Sequence, residues 1–96
     1  MCGICGYVSD QKLDIRAMTQ SIRHRGPDVQ DVVEHGAVGL GHARLSIIDL
    51  SEGANQPMAS RSGRYVIVYN GEVYNFPQLK SELEKAGCGF STHCDT

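Results

Sequence analysis

VQDVVEHGAVGLGHARLSIIDL, residues 29–50, reads as two strands about a turn at His35-Gly36. Its valine-rich runs suit a pleated, half-buried surface, and a glycine supplies the backbone freedom a reversal needs. Upstream, CGICGYVS (2–9) reads as a short buried strand whose glycines permit close backbone approach. Between them LDIRAMTQSIRHRG (13–26) reads as a helix, with Ile15, Met18 and Ile22 at helical spacing. Arg23, His24 and Arg25 suit its C-terminal end, and Gly26 with Pro27 ends it. Downstream, SEGANQPMASRSG (51–63) has loop composition. RYVIVYNGEVYN (64–75) then reads as a hairpin about Asn70-Gly71, a strong short-range turn signal. FPQLKSELEKAG (76–87) reads as a second helix, with Pro77 in its first turn, Leu79, Leu83 and Ala86 as its apolar stripe and Gly87 as its cap. CGFSTHCDT (88–96) opens a further extended segment. Strands and helices in this order make an α+β chain.

The bulk properties exclude several classes. Ninety-six residues with 41% hydrophobic and 21% charged side chains are ordinary for a globular domain or part of one. A net charge of -2 without like-charge runs points to neither nucleic acid nor an anionic membrane as partner. No apolar stretch is long enough to span a bilayer and no secretory signal opens the sequence, so the expected location is cytoplasmic. Cytosolic thiols stay reduced, which argues against a disulfide framework for the four cysteines. Cys2 and Cys5 have C-x-x-C spacing, and Cys88 and Cys94 would complete a four-thiolate zinc site, although the second spacing is loose for one. Otherwise Cys5, Cys88 and Cys94 are small buried hydrophobes.

Cys2 differs, because only the initiator Met1 precedes it. Cysteine is small enough to permit excision of Met1, and Gly3 leaves the new terminus uncrowded. Free thiols titrate near ~8.5 and α-amines near ~7.7–8.0, so a first-residue cysteine carries both a nucleophile and a proton acceptor. Thiolate attack on a carbonyl creates an oxyanion, which needs donors already in place. The Asn70 side-chain amide and the Gly71 backbone N–H offer two. Glu72 and Asp95 offer anions for an ammonium, and Arg44 offers a bidentate clamp for a carboxylate. Such a set fits hydrolysis of an amino-acid side-chain amide. His24, His35, His42 and His93 fit no triad and read as polar or packing residues.

Six stretches, MCGICGY, RHRGPD, GHARLSIIDLS, NQPM, YNGEVYN and the closing CDT, occur together in this order. In that order and at about that spacing the chain resembles the N-terminal half of a class II glutamine amidotransferase domain, an N-terminal-nucleophile hydrolase. Pro27-Asp28 after HRG resembles the B-type, glutamine-hydrolysing asparagine synthetases. The resemblance implies that Cys2 is the nucleophile and Asn70 and Gly71 the oxyanion hole. It implies that Arg44 binds the α-carboxylate of L-glutamine, that backbone from Leu45, Ser46, Ile47 and Ile48 lines the pocket, and that Glu72 and Asp95 bind the α-ammonium. RHRGPD would be a helix end and a loop covering the pocket, and NQPM a structural loop.

The resemblance also implies a partial αββα sandwich of antiparallel sheets flanked by helices. A C-terminal synthetase domain using ATP and magnesium would be the partner. No G-x-x-x-x-G-K-[ST] or S-G-G-x-D-S phosphate loop occurs in these residues, so no cofactor or metal is expected within them. The closing segment reads as a strand cut in progress, so the chain is expected to continue in its natural context. Two other readings stay open: an amidotransferase serving a sugar or peptide acceptor, and a non-catalytic, zinc-binding fragment. Half a sandwich leaves an apolar sheet face and strand edges uncovered. The 96 residues by themselves are therefore expected to be marginally stable or to associate, as a homodimer, in analytical ultracentrifugation. A compact, cooperatively melting monomer would contradict this.

Overall fold

The computed structural model describes residues 2–46, 52–92 and 94–96. Strand β1 (Gly3–Val8) is followed by helix α1 (Ile15–Ser21), strands β2 (Val29–His35) and β3 (Val38–Arg44), short strands β4 (Met58–Ala59) and β5 (Val66–Ile67), and helix α2 (Phe76–Lys85). The first three strands form an antiparallel sheet in the order β1-β3-β2, and β4 pairs with β5 in a second antiparallel ladder. The architecture is α+β, as read from the sequence.

The β2–β3 hairpin turns where expected, with Gly36 at φ +58°, in the left-handed region that glycine adopts without a Cβ penalty. Side chains alternate across a strand, so Cys5, Gly41 and Val32, which lie opposite one another, share one face. Helix α1 covers that face. Asp14 caps it, its Oδ1 accepting from the Ala17 N–H at 3.0 Å. Ile15 and Thr19 are its buried residues. Thr19 Oγ1 lies 3.3 Å from Cys5 Sγ, and a Cβ on Gly41 would fall 2.0 Å from the same hydroxyl. Glycine thus lets the helix settle on the central strand.

The opposite face carries Ile4, Val8, Val38, Leu40 and, toward its end, His42. Ile4, Val8 and Val38 are exposed, Val8 at 80%. β1 is therefore not the buried strand expected; Gly3 and Cys5 face the helix, while Gly6 and the branched aliphatics Ile4 and Val8 face outward. Helix α2 forms where expected, and Gly87 closes it at φ +94°, with the Cys88 N–H donating to the Leu83 carbonyl at 2.9 Å. None of its residues is buried, and Leu79 and Leu83 stay exposed, so the apolar stripe exists without a surface to cover it. Cys88 is also exposed rather than buried.

The expected hairpin at residues 64–75 does not form. The reversal lies earlier: the Ser60 N–H donates to the Tyr65 carbonyl at 2.8 Å and Gly63 takes φ +74°, so β5 pairs backward with β4. A two-residue Asn-Gly hairpin of type I′ needs positive φ at both central residues, and neither Asn70 nor Gly71 has it. The backbone beyond is committed elsewhere. The Val73 N–H goes to Asp95 Oδ2 and the Val73 carbonyl accepts from Phe76 N–H, at the entry to α2. Residues 88–92 and 94–96 form no strand.

RHRGPD takes a 3-10 turn at Arg23–Arg25 and then crosses the end of β3. The Asp28 N–H donates to the Arg44 carbonyl at 3.0 Å, and Asp28 Oδ2 accepts from the Ser46 N–H at 2.8 Å. At Gly26 the backbone conformation is open to any residue; what excludes a side chain is space, since a Cβ would meet the Ala43 carbonyl oxygen at 2.0 Å. Gly26→Ala is expected to destabilise the fold by at least the ~1–3 kcal/mol typical of overpacking, because the obstacle is backbone. Urea denaturation checks this; a loss under ~0.5 kcal/mol, the range of neutral surface changes, would contradict the crossing.

Candidate active site

The β1–β3 register sets the site. Gly3 pairs with Ala43, so Cys2 enters the sheet beside the end of β3, where Arg44 and Leu45 leave it. The Leu45 N–H points at Cys2 Sγ at 3.3 Å, and the Leu45 carbonyl lies 3.6 Å from the same sulfur. The N–H donates to the sulfur and the carbonyl can accept from the thiol, so one residue's backbone holds Sγ from both of its polar groups. Arg25 Nε donates to the Cys2 carbonyl at 3.4 Å, a further hold on the residue besides the sheet pairing of Gly3.

Cys2 opens onto a cleft of about 360 Å³, within the range of small-molecule sites. Arg44, Leu45, Asn70, Gly71, Glu72 and Asp95 line it as well. These residues come from the end of β3, the bend before α2, and the last described segment. Arg44 is buried at 6% exposure and its Nη1 donates to Asn55 Oδ1, which fixes the guanidinium at the cleft wall. Glu72 is exposed at the rim. Asp95 is half-buried and uses one carboxylate oxygen on the Val73 N–H at 2.8 Å. Ser46 does not line the cleft; its N–H is taken by Asp28. Ile47 and Ile48 lie outside the described residues. RHRGPD lines no part of the cleft either, so it braces the site's backbone rather than covering the pocket.

Sequence reasoning missed several wall residues. His42, Gln56, Tyr69, Tyr74, Cys94 and Thr96 also line the cleft. His42 was legible in principle: it stands two residues before Arg44 on one strand, and a period of two puts both on one face. Gln56 lay within NQPM, read only as a loop. It is 6% exposed, and its Oε1 accepts from the Tyr69 N–H at 2.6 Å. Among the described residues no cluster of His, Cys, Asp or Glu could hold a metal ion, so the four thiols converge on no zinc position there. No described helix is long and apolar enough to cross a membrane.

His42 is 1% exposed, a packing residue with one polar contact among the described residues: Nε2 lies 3.3 Å from the Tyr69 carbonyl. A carbonyl only accepts, so Nε2 carries the proton, and Nδ1 is a buried lone pair without a partner among the described residues. Burial pushes the imidazole below the usual histidine range; the bond to Tyr69 opposes this, and the neighbouring Arg44 charge adds to the depression.

The chain belongs to the glutamine amidotransferase domain family, whose model matches residues 1–96. It is 41% identical to asparagine synthetase [glutamine-hydrolyzing] 1 of Bacillus subtilis, over all of this chain and 16% of that protein. It is 36% identical to putative asparagine synthetase [glutamine-hydrolyzing] 2 of Methanocaldococcus jannaschii, over 86% of this chain and 20% of that protein. It is also 37% identical to amidase chry2 of Gibberella zeae, over 86% of this chain and 15% of that protein. The chain thus spans a fifth or less of the length of these relatives.

The depressed histidine has a thermodynamic consequence. With its folded value below the unfolded ~6.5, the unfolded chain binds the extra proton first as pH falls, so stability is full above ~6.5 and declines below it. The decline approaches ~1.4 kcal/mol per pH unit until the folded imidazole itself titrates. Thermal melts at pH 7.5 and 5.5 are expected to show a smaller acid-side drop for His42→Gln than for the parent. Equal drops would contradict the buried neutral imidazole.

Proposed function

We propose that this chain hydrolyses the side-chain amide of L-glutamine through Cys2 as an N-terminal nucleophile. The observation that carries the reading is the cleft itself, in which Cys2, a buried Arg44, Asn70, Gly71, Glu72 and Asp95 meet although they span almost the whole sequence. With Met1 removed, the α-amine takes the thiol proton and Sγ attacks the amide carbon. The Asn70 amide and the Gly71 N–H receive the oxyanion. Collapse of the tetrahedral adduct breaks the C–N bond, the amine's proton passes to the leaving nitrogen, and ammonia departs from a thioester. Water then attacks, its proton goes to the amine, and glutamate leaves as the thiol reforms. Arg44 holds the substrate carboxylate, and Glu72 with Asp95 holds its ammonium, so recognition needs an amino acid rather than a simple amide.

The ammonia would pass to an ATP-activated aspartate in a C-terminal synthetase domain. ATP and magnesium would act there. Relatedness to glutamine-hydrolysing asparagine synthetases supports this acceptor. The outward apolar face of β1 and β3 is suited to a second sheet of the αββα sandwich of N-terminal-nucleophile hydrolases.

Two measurements test the reading. Mass spectrometry of the intact N-terminus is expected to begin at Cys2; a retained Met1 leaves no amine on that residue and removes the proposed base. In the full-length protein, Cys2→Ala is expected to lower glutamine-dependent ammonia release by at least ~10³-fold while leaving use of added ammonia intact. Retained glutamine turnover in that variant would eliminate Cys2 as the nucleophile.

A further inference from the structure

The backbone of Tyr69 is held from both sides by buried side chains. Its N–H donates to Gln56 Oε1 at 2.6 Å, and its carbonyl lies 3.3 Å from His42 Nε2. The orientation of the Gln56 amide is itself set, because its Nε2 donates to Thr96 Oγ1 at 3.1 Å. These two contacts act on successive peptide planes. The Tyr69 N–H belongs to the plane before the residue, and the Tyr69 carbonyl belongs to the plane that carries the Asn70 nitrogen. Fixing both planes fixes φ and ψ of Tyr69. The next anchor is the Val73 N–H on Asp95. Asn70, Gly71 and Glu72 therefore hang between two fixed points.

We propose that Gln56 and His42 are positioning residues that aim the Asn70 and Gly71 oxyanion donors by clamping the Tyr69 backbone, an inference that rests on the glutaminase reading above. Burying an amide and an imidazole costs free energy unless their polar atoms are bonded. Gln56 uses both of its polar atoms on the cleft wall. His42 leaves Nδ1 unpartnered among the described residues, so an apolar ring would fill that space at a lower desolvation cost. What the imidazole adds is the one N–H that reaches Tyr69. The Tyr69 ring extends the effect, since a Cβ on Gly71 would lie 2.7 Å from Tyr69 Oη. Moving Tyr69 thus disturbs Gly71 through both the backbone and the ring.

Misplacing a catalytic group by about 1 Å costs on the order of 10²-fold, and losing one oxyanion donor costs ~10²–10³-fold. In the full-length protein, Gln56→Met keeps the volume and removes the acceptor. Its kcat for glutamine hydrolysis is expected to fall by ~30–100-fold with KM within ~3-fold, because Arg44 and Glu72 still hold the substrate. Gln56→Glu keeps an oxygen toward the Tyr69 N–H, and the Thr96 hydroxyl can turn its proton to it, so kcat is expected within ~5-fold of the parent. His42→Phe and His42→Gln form the matching pair, since a glutamine amide can present an N–H to the carbonyl. Iodoacetamide alkylation of Cys2, in which sulfur displaces iodide from carbon and no oxyanion forms, is expected to be unchanged in all four variants.

Unchanged kcat in Gln56→Met and His42→Phe overturns the clamp. So does a fall in kcat that is matched by equal losses in Cys2 alkylation and melting temperature and is not rescued by Gln56→Glu or His42→Gln, since that pattern is general loosening. Failure of the glutaminase reading shows elsewhere, as absent glutamine turnover in the parent or retained turnover in Cys2→Ala, and it overturns the clamp as well.

Discussion

The antiparallel pairing of β1 with β3 is the constraint on which the site depends. Strand register is strict wherever one face is covered, because a slip of one residue would turn Cys5, Gly41 and Ala43 away from α1. The same register sets the Cys2 sulfur against the Leu45 backbone and brings the Arg44 guanidinium to the neighbouring wall. The core that enforces it is small. Ile15 and Ala43 are fully buried, and Thr19 and Gly41 set the distance between helix and strand. The RHRGPD segment adds a second hold on the same end of the sheet through Gly26, Asp28 and Arg25. Sheet pairing of the adjacent Gly3, the Arg25 bond and the Leu45 backbone together restrain Cys2.

The opposite wall is built by a different principle. Residues 69–73 form no regular element, so no ladder of backbone bonds orients them. Side chains from three other parts of the chain do so instead: His42 from β3, Gln56 from the loop before β4, and Asp95 from the last described segment. Irregular backbone at a cleft leaves N–H groups that can face a ligand, which a strand would have spent on its neighbour.

That division explains what the sequence could reveal. β1, α1, β2 and β3 follow from local chemistry such as helical spacing from Ile15 and glycine at the Gly36 turn, whereas the Asp14 cap emerges only in the structure. Helix α2 follows from Pro77 and Gly87, but the fate of its Leu79–Leu83 stripe does not, because burial depends on what packs against it. Asn70-Gly71 misled in the way short-range signals do. Its turn preference is real, yet the Asp95 carboxylate and the start of α2 claim the groups a second strand would have needed. Cys2, Arg44, Leu45, Asn70, Gly71, Glu72 and Asp95 were all named beforehand and all line one cleft, whereas Ser46 does not. Gln56 escaped because its contacts join residues distant in sequence; the period of two places His42 on the Arg44 face, but its contact with Tyr69 leaves no trace in spacing.

Two thiols, Cys2 and Cys94, line the cleft, and only one can be the nucleophile of this account. Treating the full-length protein with a chloromethyl ketone shaped like glutamine, then mapping the modified peptide, distinguishes them directly. The account predicts a single adduct on Cys2, suppressed by excess glutamine. An adduct on Cys94 instead, or labelling of Cys2 that glutamine does not suppress, would contradict it.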